Sequence, residues 1–425
     1  MRLFLAALLA IIGWAAAAAA GGIAVRTDRL IADPRTDAGR PATVLVEEGR
    51  IRAVLPRDAA LPEGVRVVDL GALAVLPGLI DTHVHLTSTP GLNFLEQARI
   101  TPEAATATGI AHALITLRAG FTTVRDVGSG RMTAFAVRDA IARGQVPGPR
   151  VLASGPAISI IGGHGDVSGF RPEVNELLSN GATCTGPVEC AARVREAARR
   201  GADLIKITAT GGVLSQQARG LGMHFSAEEM RAIVEAARAL GLKVAAHAHG
   251  DDGILGAVEA GVDSIEHGTF LSRATMAAMR RRGTWLVPTL MAFQGLADRV
   301  GRGIYTPAVE AKARAALARW GAALAAAHAA GVPVAFGTDA GVFEHGRNGE
   351  EFRLMVEKGG MSLRAALVSA TTGAAELLGL ADEIGTVAPG KAADLIAVEG
   401  DPLADPGAYT RVRFVMARGR IIPLE

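Results

Sequence analysis

Eight short apolar segments alternate with helical runs through the middle of this 425-residue chain, and a strand-rich stretch stands at each end. That alternation predicts an α/β protein: a (β/α)8 TIM barrel with a flanking β-sandwich built from both chain ends. An open doubly wound sheet is the rival, but no GxGxxG follows the first apolar segment. Length alone would suggest about three domains, a rule that α/β barrels exceed.

The elements follow in order. Arg2, an apolar run over residues 3–14 and an alanine cluster over 15–20 read as a secretory signal within residues 1–22. Cleavage is expected near Gly21 or Gly22, giving an exported protein, periplasmic or secreted, without a stable membrane anchor. The alternative is an uncleaved anchor, although the apolar run is short for a span. Residues 23–74 hold alternating segments separated by turns (IAVRTDRLIAD, TVLVEEGRIRAVLP, VRVVDL) and form the first part of the sandwich. Residues 382–425 resemble them, with VAPGKAADLIAV and VRFVMARGRII, and form the second part.

Residues 75–381 are the expected barrel, with strands at 75–81, 121–127, 150–157, 202–209, 243–249, 262–267, 285–290 and 333–339. Among the helical runs, SAEEMRAIVEAARALG opens with Ser226 and Glu229 at capping-box spacing. Cys184 and Cys190 are the two cysteines; a disulfide and two thiols both fit their spacing.

Charge excludes one class of partner. Lys+Arg 44 stands against Asp+Glu 42, there is no basic stripe, and aromatics are 4%. Nucleic acid is therefore not expected. Only five of the cations are lysines: Lys206, Lys243, Lys312, Lys358 and Lys391. A lysine inside an apolar strand then needs a reason.

Barrel sites form at the C-terminal ends of the strands. His83 and His85 close the first segment, and side chains at i and i+2 of a strand share a face. Lys206 lies late in the fourth, His247 and His249 close the fifth, His267 the sixth and Asp339 the eighth. Neutral imidazoles are good ligands for zinc. Asp339 offers an anionic oxygen and a base. Lys206 cannot ligate as an ammonium, but burial lowers an amine pKa. The neutral amine can capture CO2 as a carbamate, a carboxylate long enough to bridge two metals. The spacing leaves open whether His247 or His249 is the ligand.

The motifs LPGLIDTHVH, DLIKITATGG, VAAHAHG, SIEHGT, FGTDAG and VAPGKAADLIAV together resemble the amidohydrolase superfamily, in its binuclear branch, over roughly residues 70–400. The resemblance implies two divalent ions, zinc being expected. His83, His85 and Asp339 hold one, His247 and His267 the other, and carboxylated Lys206 bridges them. It moves His249 to substrate or to the ligands' surroundings. The loop GPAISIIGGHGD is similar to that of prolidase-like and Xaa-Arg/Lys dipeptidases and of ochratoxin-hydrolysing amidohydrolases. It implies that His164 binds a substrate carboxylate or carbonyl. Relatives assemble as homo-oligomers, so the same is expected here.

The implied reaction is hydrolysis of an amide to a C-terminal L-amino acid: a dipeptide, an N-acyl amino acid or an ochratoxin-like amide. Asp339 would be the base. Lactonase or phosphotriesterase-type chemistry and cyclic-amide opening are the alternatives; imidazolonepropionase-like relatives with one metal lack the bridging lysine. Ser88 is expected at the pocket edge. Arg219, His224, His345 and Arg347 lie in loops expected to line it, opposed chiefly by Asp166 and Glu344, so the rim should be cationic and the substrate anionic. Arg125 and Asp126 read as barrel packing, and His112 and His328 as structural.

Overall fold

The computed structural model describes residues 22–92, 94–216 and 220–425. The expected signal segment lies outside these residues except for Gly22, and Arg219 lies outside them too. Among the described residues no helix is long and apolar enough to cross a membrane.

The chain opens with β1 (Ile23–Leu30), β2 (Arg40–Glu47), β3 (Arg50–Leu55), β4 (Arg66–Asp69) and β5 (Ala74–Pro77). The β2–β3 hairpin turns through Glu48 and Gly49, at φ 49 and 78. Two consecutive positive φ values give the turn whose twist suits a two-residue hairpin. The parallel segments follow: β6 (Leu79–Val84), β7 (Phe121–Asp126) and β8 (Arg150–Ala153), then the short pair β9 (Ser159–Ile160) and β10 (Thr183–Cys184), then β11 (Leu204–Thr208), β12 (Lys243–Ala248), β13 (Ser264–His267) and β14 (Trp285–Val287). The chain closes with β15 (Leu395–Val398), β16 (Val412–Ala417) and β17 (Arg420–Ile421).

Both chain ends meet in one eight-stranded sheet, ordered β17-β16-β15-β5-β1-β2-β3 with β4 on β1. Where two facing sheets were expected, the strand pairing is a single sheet. Its apolar cluster mixes the ends: Val25, Val44, Ile51 and Val75 pack with Leu395, Phe414 and Met416.

The expected strand 75–81 is two strands. β5 joins the terminal sheet and β6 begins the parallel one, with Gly78 between them. A Cβ at Gly78 would stand 2.1 Å from the Thr122 hydroxyl, so only glycine lets the chain change sheets there.

The parallel strands form sheets β6-β7-β8 and β11-β12-β13-β14. Parallel bridges Ile158↔Ile207, Leu286↔Val334 and Val84↔Ala340 link their ends. The eighth expected strand, 333–339, is not a regular strand. Pro333 has no N–H to give, and Asp339 turns left-handed at φ 63. The segment still hydrogen-bonds on both sides: Leu286 N donates to Pro333 O at 2.8 Å, and Asp339 N to His83 O at 2.8 Å. The buried core carries Leu79, Val84, Val124, Ile207, Ile265, Leu286 and Phe336.

The Ser226 capping box is present at the start of helix Ala227–Ala239. Cys184 and Cys190 form a disulfide tying β10 to helix Pro187–Arg199.

Candidate metal centre and substrate pocket

The strand ends bring the six candidate ligands and His249 to one cavity of about 290 Å³. His83, His85 and Asp339 form one group; His247, His249 and His267 form another. Within each, the candidate ligand atoms lie within 4.8 Å of one another. The groups are adjacent, with the His83 and His267 rings 5.1 Å apart. Lys206 lines the same cavity.

Electrostatics suit cation binding. Burial pushes His83, His247 and His267 well below the ordinary imidazole value, so they stand neutral with lone pairs available. Burial lowers Lys206 to about 8, against the pull of Glu266 and Asp339. Burial alone would raise Asp339; the imidazoles of His83 and His85 outweigh it and hold the carboxylate below its usual range. His85 moves the other way, upward, because Asp339 outweighs burial. Asp339 Oδ1 lies 3.2 Å from His85 Nε2 and 3.5 Å from His83 Nε2.

Neighbouring groups aim these rings. His83 Nδ1 meets Glu266 Oε2 at 2.7 Å, and His85 Nδ1 meets Gly128 O at 2.8 Å. His249 Nδ1 meets the Thr269 hydroxyl and His267 Nδ1 the Thr289 hydroxyl, both at 2.7 Å. Each contact leaves Nε2 for a ligand. Glu266 also accepts from Arg125 at 2.8 Å and from Ser264 at 2.5 Å. Arg125 is thus more than packing: it is the buried counter-charge of the carboxylate behind His83. Asp126, buried, accepts from Leu86 N at 2.8 Å and Gly128 N at 3.3 Å, bracing the turn after His85.

Left-handed backbone marks the rim: His267 (φ 71), Thr289 (φ 50) and Asp339 (φ 63). Such non-glycine residues cost on the order of 1–3 kcal/mol each and persist where surrounding contacts over-determine them.

Of the expected substrate residues, Ser88, His164 and His249 line the cavity. His345 does not; its buried ring stacks on His112 at 4.1 Å. Arg347 is occupied by Glu344 at 3.0 Å and Glu350 at 2.7 Å. His164, His249 and His345 are each lowered by burial to about 3, hence neutral. The expected cationic rim is therefore absent among the described residues: desolvation neutralises the imidazoles and acids occupy the arginine. Besides the imidazoles, the ionisable groups lining the cavity are Lys206 and Asp339. The outer wall is apolar, with Val213, Leu214, Phe293, Leu296, Ala316 and Val342. Lys312 fixes part of that wall, donating to Gly212 O at 2.9 Å and Ser215 O at 2.6 Å. The Ser215 hydroxyl in turn meets His164 Nδ1 at 2.6 Å.

Sequence reasoning missed Glu266, Thr269, Thr289, Asp81, Asn348, Glu351 and Lys312. Glu266 had a signal, an acid inside the apolar strand SIEH, as Lys206 did in LIKIT. Asn348 and Glu351 had none.

Comparison with known proteins fits this geometry. The Amidohydrolase family matches residues 74–422. Ochratoxinase from Aspergillus niger is 33% identical over 363 residues, covering 80% of this chain and 74% of the relative. A Xaa-Pro dipeptidase crystallised with methionine in its active site superposes with TM-score 0.86 at 36% identity, covering 94% of this chain and 99% of the other. A prolidase in complex with N-methylphosphonate-L-proline gives TM-score 0.86 at 31% identity, again covering 94% and 99%. These neighbours carry a TIM-barrel-type α/β fold, and their family typically uses divalent metals. The chain belongs to the amidohydrolase family and is a hydrolase acting on carbon–nitrogen bonds.

Proposed function

We propose that this chain is a binuclear metal-dependent amidohydrolase that cleaves an amide to a C-terminal L-amino acid, with dipeptides, N-acyl amino acids and ochratoxin-like amides as candidates. One observation carries the reading: two adjacent groups of three metal-capable side chains share a single cavity with a buried lysine. His83, His85 and Asp339 would hold one ion, His247 and His267 the other, and carboxylated Lys206 would join them. Zinc suits imidazole and carboxylate donors, and the far nitrogens of His83, His85 and His267 are already bonded. Such ions, when bound, acidify a water and polarise a carbonyl.

The chain's own residues do the rest. Asp339, held ionised, receives the proton of the attacking water and returns it to the leaving nitrogen, which is a poor leaving group unprotonated. Neutral His164, fixed through Ser215, presents an imidazole to the substrate. The apolar wall takes an uncharged side chain and excludes water. The methionine in the dipeptidase structure and the N-methylphosphonate-L-proline in the prolidase structure support a product of that class.

A closed ring of the seven parallel strands β6, β7, β8, β11, β12, β13 and β14 with the irregular segment 333–339, beside the single sheet that both chain ends share, is part of this reading. The parallel bridges and the shared apolar cluster support it. Export after cleavage near Gly21 or Gly22 and assembly into a homo-oligomer complete it; mass spectrometry of exported protein and light scattering test these two.

The deciding experiment measures metal content and compares each free-acid substrate with its C-terminal amide. About two ions per chain and a tenfold to hundredfold preference for the acid are expected, a charged hydrogen bond in a dry site being worth roughly 1.5–3 kcal/mol. A metal-free active enzyme, or equal turnover of acid and amide, defeats the reading.

A further inference from the structure

Behind the two ligand groups runs one short segment, the 3-10 turn Asn348–Glu350 and the first residue of helix Glu351–Glu357. Asn348 and Glu351 are both fully buried polar side chains, and neither lines the cavity. Each reaches a different ligand group, Asn348 through Asp81 and Glu351 through the Leu290 and Met291 amides and Thr289.

Asn348 Nδ2 donates to Asp81 Oδ2 at 2.8 Å. The Asp81 carboxylate also accepts from His83 N at 3.0 Å, Thr338 N at 3.1 Å and the Thr338 hydroxyl at 2.6 Å. Asp81 thereby clamps the end of β6 to the segment that ends in Asp339. Asn348 is the donor that completes its hydrogen bonding from outside those two segments.

Glu351 works on the other side. Its Oε1 accepts from Leu290 N at 2.8 Å and its Oε2 from Met291 N at 2.6 Å. Those amides open helix Leu290–Ala297, directly after Thr289. Thr289 sits in left-handed backbone and holds His267 Nδ1 by its hydroxyl. Fixing the two amides fixes the strained residue that aims His267.

The segment has its own anchor. A Cβ on Gly349 would lie 2.4 Å from the Tyr409 carbonyl, so glycine allows close docking there. Phe352 stacks on Tyr409 with centroids 3.6 Å apart at 7°, and the Tyr409 hydroxyl donates to Pro402 O at 2.7 Å.

We propose that residues 348–351 are a strut that sets the relative position of the two ligand groups, with Asn348 and Glu351 as separate positioning residues, one for each. Asn348 acts on the His83–His85–Asp339 group through Asp81. Glu351 acts on the histidine group through Thr289. This rests on the binuclear reading for its metal readout, but the hydrogen bonds stand without it.

The test loads the full chain with cadmium and follows each site by ¹¹³Cd NMR and titration calorimetry. Asn348→Leu should weaken the carboxylate-bearing site about tenfold to a hundredfold and spare the imidazole site. Glu351→Gln should do the reverse, and Thr289→Val should match it, with Thr289→Ser restoring affinity. In the variants kcat should fall while KM holds. Equal weakening of both sites by either variant, or no weakening, overturns the proposal. If Glu351→Gln does not fold, the Thr289 pair carries that arm.

If the wild-type chain takes up no metal, the binuclear reading fails and metal-free protein decides the strut. The His267 imidazole N–H resonance should be lost in Glu351→Gln and Thr289→Val and kept in Asn348→Leu. Its survival in Glu351→Gln and Thr289→Val overturns the assignment.

Discussion

The two ligand groups are built alike at the front and differently at the back. His83, His85 and Asp339 include a carboxylate, and a second carboxylate, Glu266, stands behind His83 with Arg125 as counter-charge. His247, His249 and His267 are three imidazoles, of which His249 and His267 are backed by the hydroxyls of Thr269 and Thr289. A carboxylate behind a histidine raises its basicity as a ligand; a hydroxyl mainly aims it. The first group should therefore bind its ion more tightly, and the second should be the one emptied first by a chelator.

The largest way to break the comparison is at the shared base. On the proposed reading, Asp339→Asn removes both the anionic ligand of the first group and the proton acceptor. The rate should fall by about 10²–10⁴, with metal lost from the carboxylate-bearing site first. Steady-state kinetics and metal analysis on one preparation check both parts. A variant that keeps its rate excludes Asp339 as the base.

Glu266→Gln sharpens the difference. It keeps the shape behind His83 but removes the charge, leaving Arg125 uncompensated. Affinity at the first group should drop about tenfold to a hundredfold, while Thr269→Val should leave that group untouched. Competition with a chromophoric chelator measures both. Equal losses in the two variants would mean that charge behind the ring does not matter here.

Lys206 lines the cavity that the two groups share and gives a smaller, kinetic effect. With its amine at about 8, the neutral fraction rises about fivefold from pH 7 to pH 8. Reactivation of metal-free protein by zinc and bicarbonate should speed up by about that factor. A pH-independent rate would mean that capture of CO2 by the free amine is not the limiting step. Lys206→Ala should lose the bicarbonate requirement together with activity.

This difference between front and back also separates what the sequence reveals from what it hides. The front was legible because the candidate ligands lie at or near the ends of short apolar segments, so HVH, IKIT, HAH, SIEH and GTD mark their own positions. The back was not, because Asp81 meets Asn348 and Leu290 meets Glu351 across 267 and 61 residues of sequence. The cationic rim failed for a related reason: residue type gives the charge of a histidine in water, whereas burial of His164, His249 and His345 sets it here. The eighth strand was read from apolar periodicity, which does not report Pro333 or the left-handed Asp339, nor that the strands of both ends pair in one sheet.

The last effect concerns stability rather than rate and isolates the back from the front. Burial, with the fields of Asp81 and Asp339 added, pushes the Glu351 carboxyl well above its ordinary 4.5, against the Leu290 and Met291 amides. A carboxyl whose folded pKa lies above its unfolded one contributes stability that is full below the unfolded value. That contribution drains as pH rises through the folded value. Wild type should thus lose stability from about pH 5 to pH 8 relative to Glu351→Gln, by at most about 1.4 kcal/mol per pH unit. The amide also turns one acceptor into a donor facing a backbone N–H, a cost of about 1–3 kcal/mol that does not vary with pH. The slope, not the offset, is therefore the readout. Urea unfolding of metal-free protein at the two pH values measures it. Parallel pH curves for the two proteins would mean that Glu351 titrates alike folded and unfolded, and that its burial costs the ionised form nothing.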